Sequence, residues 1–296
     1  MTVLVIGEAL VDVVERDGRE PQPHAGGSPF NVAVGLARLD VPTVLAAQIG
    51  PDAYGDLLRE HLHYSDVQLA ELAPAPERTS TAIASLADDG SASYAFELSW
   101  DPVALPDPGG FEAVHVGSLG TAIEPGASLV ADLVLGADVM GVAVSYDPNV
   151  RLAVEPDAEV WRRVFAAIAP HASIIKLSDE DAAALFPGED VRELARRLAA
   201  DHAIVAITLG GDGAVVAAGS ELVSVPPADV RVVDTIGAGD SFMAAMLSWC
   251  AMYDWPKAAE LDATELTDLA MYASSAAAIT CSRPGADPPT TRDLTP

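Results

Sequence analysis

Short runs of consecutive apolar residues, many of them β-branched, alternate along this chain with longer segments rich in good helix formers. The run over 2–6 stays apolar after Thr2 and stops at Gly7-Glu8, as a parallel strand buried on both faces does. Comparable runs over 43–49, 113–116, 142–146, 173–176 and 204–208 predict further strands. Helices are expected over 54–63, 126–135, 158–167, 179–186, 191–200, 238–253 and 265–279. Another runs through 32–39, with Ser28 as its cap and Pro29 just inside its start. The segments over 79–86 and 93–98 differ: they are short and alternating, and Asp88-Asp89-Gly90 between them is hairpin chemistry. With 10–14 they predict a small antiparallel sheet set apart from the main one. Residues 214–217 and 221–225 read as a second hairpin. The alternation predicts an α/β protein with a mostly parallel sheet, and no internal repeat or low-complexity linker interrupts it.

One stretch concentrates chemistry within this pattern. Asp234-Thr235-Ile236-Gly237-Ala238-Gly239-Asp240-Ser241-Phe242 follows a β-branched run (Val230, Val232, Val233) and opens a helix-forming one. It reads as strand, glycine turn and helix start. Two glycines let the backbone turn with its N–H groups pointing into one concavity, and a helix N-terminus adds partial positive charge there. Such a place receives an anion, most often a phosphate. Asp240 inside it has two readings. It accepts a proton from a substrate hydroxyl beside a held phosphoryl group, or it is an ordinary first-turn acid of a glycine-rich turn.

Composition narrows the partners. The chain has 296 residues, enough for one large α/β domain or two smaller ones, with 44 acidic against 16 basic residues and a formal net charge of −28. Nucleic acid and anionic membranes would be repelled. Lys176 and Lys257 are the only lysines, so phosphate binding must rest on backbone N–H groups, arginines or a metal ion. Cys250 and Cys281 form no disulfide framework or metal motif. The first residues lack the basic start of a signal peptide, and no apolar run has the length of a membrane span. A reducing cytoplasm is the expected setting.

Familiar nucleotide signatures are missing. Neither lysine stands in a Gly-Lys-Ser/Thr loop, and Gly237-Ala238-Gly239 continues as Asp-Ser-Phe, so the third glycine of a dinucleotide fingerprint fails. Near the N-terminus, Asp12, Gly26, Gly27 and Asn31 could converge on a polyol, the glycines leaving room against the backbone; taken alone, a turn pair beside a solvent-facing helix residue fits them better. Taken together, Gly26-Gly27-x-x-x-Asn31 and Asp234-Thr-x-Gly-Ala-Gly-Asp240 resemble the two signatures of the ribokinase family, the phosphofructokinase-B type carbohydrate kinases. The resemblance spans essentially the whole chain. Gly7-Glu8-Ala9-Leu10-Val11-Asp12, Asp147-Pro148-Asn149-x-Arg151, Lys176-Leu177-Ser178-Asp179-Glu180, Thr208-Leu209-Gly210-Gly211-Asp212-Gly213 and Cys281-x-Arg283-x-Gly285-Ala286-x-Pro288-Pro289 look most like its fructokinase branch.

The resemblance implies a ribokinase-like three-layer α/β/α domain over 1–296, with a β lid from about 10–24 and 79–100. It implies ATP as phosphate donor, Mg2+, and a monovalent cation such as K+. Asp240 would be the catalytic base, and the N–H groups of Gly237, Ala238 and Gly239 the anion hole. Asp12, Gly26, Gly27 and Asn31 would bind the sugar. Thr208, Gly210 and Gly213 would flank the nucleotide, with Lys176 and Ser178 beside it. Asp234 and Ile236, with backbone around Thr280, Arg283 and Gly285, match the family's monovalent-cation position. A second copy would pair through the lid. Many members carry Asn-x-x-Glu for magnesium. Here Ser178-Asp179-Glu180-Asp181 stands in that place, so Asp181 acts through water or is a first-turn acid after a capping serine. Arg151, just after the Asp-Pro turn, is either a partner for a substrate or nucleotide anion or a surface ion-pair residue. Keto-acid kinases carry a lid arginine where this chain has Glu97, which favours a neutral sugar. Fructose is the expected acceptor. 2-Keto-3-deoxygluconate, ribose and nucleosides are the alternatives within the family. A non-catalytic sensor on the same fold would show a lost base or broken glycine turn, and neither is lost.

Overall fold

Strand β1 (Val3–Ile6) lies parallel to β4 (Thr43–Ala47) on one side and to β8 (Ala113–Gly117) on the other. Its successive side chains point to opposite faces. Val3 and Val5 join one core with Leu45, Leu58 and Leu62, and Leu4 and Ile6 join the other with Val114, Val116 and Trp161. That double burial is why the run carries no polar position. The computed structural model describes residues 2–16, 21–86, 92–253, 255 and 261–294. Among these, the main sheet has nine strands in the order β13 (Glu221–Val225), β12 (Ala214–Ala218), β11 (Ile204–Thr208), β10 (Ile174–Ser178), β9 (Ala143–Asp147), β8, β1, β4 and β5 (Gln68–Glu71). All neighbours are parallel except the hairpin edge, where β12 is antiparallel to both β11 and β13.

Helices cover both faces. α1 (Ser28–Arg38), α2 (Ala53–Tyr64), α7 (Ala238–Met252) and α8 (Ala263–Cys281) pack on one core. α3 (Gly126–Met140), α4 (Ala158–Ile168), α5 (Asp179–Leu185) and α6 (Val191–Leu198) pack on the other. A short α9 (Thr291–Leu294) ends the described chain. α7 is buried from Asp240 through Cys250, between α1 and α8, which explains its lack of a polar face.

A second sheet has the order β3 (Gln22–Gly26), β2 (Leu10–Arg16), β6 (Ser80–Leu86) and β7 (Ala92–Glu97). It is mixed rather than purely antiparallel, since β2 and β6 run parallel. Strand β3 escapes the sequence pattern because Gln22-Pro23-His24 is exposed and carries no apolar alternation. The turn expected at Asp88-Asp89-Gly90 lies outside the described residues.

Two local expectations are corrected. No strand precedes the glycine turn: Val232 and Val233 are exposed loop residues, and the N–H groups of Val233 and Asp234 are held by the carbonyl of Cys281. Ser28 is not the cap of α1. Gly27 takes that position with φ 101°, and Ser28 is the first helical residue.

Candidate active site

The strands deliver their groups at one end of the sheet. Glu8 follows β1, Asp147 ends β9, Ser178 ends β10 and Thr208 ends β11. Carboxyl ends of parallel strands are where open α/β sheets bind ligands. Over this edge, the N-termini of α1 and α7 meet. Asp240, in the first turn of α7, receives a hydrogen bond from Ser28 Oγ at 2.7 Å on one oxygen and from Asn31 Nδ2 at 2.8 Å on the other. All three residues are buried. The two motifs separated by two hundred residues are thus in direct contact.

The glycines have distinct spatial reasons. A Cβ on Gly26 would stand 2.2 Å from Asp12 Oδ2, and one on Gly27 would stand 2.7 Å from the Glu8 carbonyl oxygen. The pair therefore lets β3 turn into α1 directly against Asp12 and Glu8. At the other turn, Gly237 holds φ 74° as the N-cap of α7. The Ala238 N–H leans toward the Thr235 carbonyl at 3.3 Å. The N–H groups of Gly239 and Asp240, first-turn donors of α7, make no hydrogen bond within the described chain. The Asp240 N–H is a donor that motif reading did not count.

Beneath this turn, Lys176 of β10 and Asp147 of β9 form a buried ion pair at 2.9 Å. A Cβ on Gly239 would come within 3.0 Å of Lys176 Nζ, so the ammonium lies directly against the turn. Burial pushes Asp147 up to about 6. Burial alone would pull Lys176 down, but Asp147, Asp181 and Asp240 outweigh it and hold the ammonium above its ordinary value. Lys176 is thus a fixed cation under the glycine turn in a chain almost without lysine. His115, deeper in β8, sits with Nδ1 3.0 Å from Ser145 Oγ, and burial depresses it to about 3.

Further carboxyl groups gather near Asp240. Burial raises Asp12 to about 6; His24 and Arg151 act against that, while Asp240 adds to it. Glu8, missed as a site residue although its motif stood out, is raised to about 7 by burial despite hydrogen bonds from Ser118 and from the Gly120 N–H at 3.0 Å. Arg151 is exposed and close enough to lower both Glu8 and Asp12. Glu97 is not with them. The register runs Asp12–Ala82–Phe96 across β2, β6 and β7, and Val11–Thr81–Glu97 in the next row. Adjacent rows point to opposite faces, so Phe96 shares the face of Asp12, and exposed Glu97 belongs to the other. The expectation that Glu97 faces the acceptor is corrected by this one-residue parity.

On the far side of the glycine turn lies a cavity of about 320 Å3. Thr208, Gly210 and Gly213 line it, together with Gly239 and, from α8, Ser274 and Cys281. Ser274 stands in no motif, and its small side chain reveals a cavity wall only once α8 is placed. Ser178 and Asp181 form a reciprocal cap on α5, and Asp181 also accepts the Val150 N–H at 2.7 Å, which ties the Arg151 loop down. Asp234 accepts from the N–H of Ile236 at 3.1 Å and of Gly285 at 2.9 Å. It thereby joins the two loops that carry the expected cation residues; the Thr280 carbonyl accepts the Arg283 N–H.

For a divalent cation, no cluster of three acidic, His or Cys side chains exists among the described residues. Asp147 Oδ1 is buried without a hydrogen-bond partner, and both Asp181 oxygens already accept N–H groups. That donor set fits an ion that arrives on phosphates and keeps its waters, not a protein cage. No helix of the described residues is long and apolar enough to cross a membrane.

Known proteins resemble this chain over most of its length. The fructokinase of Rhizobium leguminosarum bv. trifolii is 33% identical over 258 residues, 83% of this chain and 78% of that protein. A fructokinase double mutant from Vibrio cholerae O395, solved with fructose, ADP and potassium ion, matches with TM-score 0.79 at 25% identity, covering 96% of this chain and 93% of that one. A sugar kinase of Pyrococcus horikoshii in complex with ATP matches with TM-score 0.79 at 25% identity, covering 100% of both chains. The protein is an ATP-dependent sugar kinase with the ribokinase-like fold. Residues 2–292 match the pfkB family of carbohydrate kinases, and the chain belongs to it.

Proposed function

We propose that the enzyme is a fructokinase in which Asp240 deprotonates the O6 hydroxyl of fructose as that oxygen attacks the γ-phosphate of ATP in line. The new bond joins sugar oxygen to phosphorus, the bond to the β,γ-bridging oxygen breaks, the proton goes to Asp240, and ADP leaves. The observation that carries this reading is the contact of Asp240 with Ser28 and Asn31 at the mouth of a glycine turn backed by Lys176. The free N–H groups of Gly239 and Asp240, with those of Gly237 and Ala238, take the charge that develops on the phosphoryl oxygens. Lys176 adds a permanent positive charge from below.

Asp12, Gly26, Gly27, Asn31 and Arg151 hold the sugar, and Thr208, Gly210, Gly213, Lys176 and Ser178 lie along the nucleotide. Mg2+ carried by ATP would supply charge neutralisation on the phosphates; Asp147, whose Oδ1 has no hydrogen-bond partner, and Asp181 would be the residues to hold it or its waters. Asp234 with the loops of Ile236, Thr280, Arg283 and Gly285 would hold K+. The four-stranded sheet is the lid, and its exposed edges fit pairing with a second copy. The carboxyl groups of Glu8, Asp12 and Asp240, gathered near exposed Arg151, favour a neutral polyol over a sugar acid, whatever the face of Glu97.

A coupled ADP-release screen over fructose, ribose, 2-keto-3-deoxygluconate and adenosine tests the acceptor. Fructose should give the highest kcat/KM; a preference for any of the others would reject the fructokinase assignment.

A further inference from the structure

Ser28 is a serine at the first position of a helix whose cap is already a glycine, so its hydroxyl is not used to close the helix end. The hydroxyl instead crosses to α7 and donates to Asp240 Oδ1 at 2.7 Å, while Asn31 Nδ2 donates to Oδ2 at 2.8 Å. An ionised carboxylate only accepts, so the direction of both bonds is fixed. Two donors from one helix turn, one on each oxygen, set the rotation of the carboxyl group about its bond to Cβ. With one donor removed, the group pivots on the other.

We propose that Ser28 is a positioning residue for phosphoryl transfer, acting through Asp240. Together with Asn31 it fixes the plane of the carboxylate so that its remaining lone pairs face the acceptor hydroxyl beside the glycine turn. The proposal rests on Asp240 being the base. It assigns to Ser28 no contact with sugar or nucleotide. Carboxylate side chains rotate freely at their last torsion, whose minima are broad, and an acceptor placed at near-attack distance tolerates little misalignment of the group that takes its proton. A hydrogen bond to a charged group is strong enough to decide that orientation. Asn31 alone cannot do so, because a single contact leaves a swing about the Asn31–Oδ2 axis.

The test is steady-state kinetics on the wild type, Ser28→Ala and Ser28→Thr, with fructose and ATP each varied, alongside thermal melting of all three. Ser28→Ala should lower kcat about tenfold, a barrier increase of about 1.4 kcal/mol. Both KM values should stay within about twofold, because the groups that hold sugar and nucleotide are untouched. The melting temperature should stay within a few degrees. Ser28→Thr, which returns a hydroxyl to the same carbon, should recover most of the loss. Unchanged kcat in Ser28→Ala would overturn the proposal. So would a fall that comes with raised KM and a lowered melting temperature and is not recovered by threonine, since that is the signature of packing alone. If the wild type phosphorylates no sugar, the kinase chemistry assigned to Asp240 fails, and the role of Ser28 falls with it. Wild-type turnover with an indifferent Ser28→Ala overturns only the latter.

Discussion

Glu8 places a carboxyl group in full burial next to the glycine pair, accepting the Gly120 N–H. Its value rises from the ordinary 4.5 to about 7 because burial disfavours the charged form. The folded protein therefore holds this proton more tightly than the unfolded chain does. Stability from this group is fully present below about pH 4.5 and is lost as pH rises through about 7, worth up to about 3 kcal/mol. Asp12 and Asp147, both raised to about 6, act in the same direction. The surface carboxylates Asp52, Glu71 and Glu189, lowered by hydrogen bonds, act in the opposite one. Glu8→Gln keeps an acceptor for Gly120 and removes the titration. Melting curves of the variant between pH 5 and 8 should fall less with rising pH than those of the wild type. Parallel curves would show that Glu8 does not titrate in this window.

At the scale of elements, the pair between β9 and β10 carries both stability and the cradle. Lys176→Met leaves the Asp147 carboxylate buried and uncompensated, a loss of about 3–5 kcal/mol. Adding Asp147→Leu should return most of that stability without restoring activity, since the cation under Gly239 is still gone. Denaturant unfolding and turnover measured on the single and double variants separate the two effects; a double variant that regains turnover would remove Lys176 from the chemistry. The parallel strands were legible in the sequence because double burial writes an unbroken apolar run, as at Val3 to Ile6. Strand β3 was not, because an exposed edge strand with a proline leaves no such mark. The Val230–Val233 region misled for the converse reason: its β-branched residues are exposed beside the cavity, not in a sheet. The two motifs announced Asp240, Asn31 and the glycines. The role of Ser28 was hidden behind its fitness as a helix cap, and the face of Glu97 depended on a register that a strand pattern alone leaves open by one residue.

Across the whole molecule, a net charge of −28 opposes the approach of an anionic nucleotide to a cradle with a single lysine beneath it. Screening shortens the reach of that repulsion, to about 8 Å at physiological ionic strength. kcat/KM for ATP should therefore rise several-fold as choline chloride increases from about 20 to about 200 mM, a salt chosen so that potassium stays fixed. A fall over that range would mean that the local positive field of Lys176, Arg151 and the α7 N-terminus dominates association. The same long-range field leaves neutral fructose unaffected, so its KM should not follow the salt.

In the proposed reaction the Asp240 carboxylate takes the proton of the acceptor hydroxyl. The most direct test of that step is Asp240→Asn, an isosteric change that keeps the contacts with Ser28 and Asn31 within reach. Fructose binding measured by calorimetry should stay within a few-fold of the wild type, while kcat for ADP release falls by about 10^2- to 10^4-fold. Turnover within tenfold of the wild type, with fructose still bound, would contradict the account.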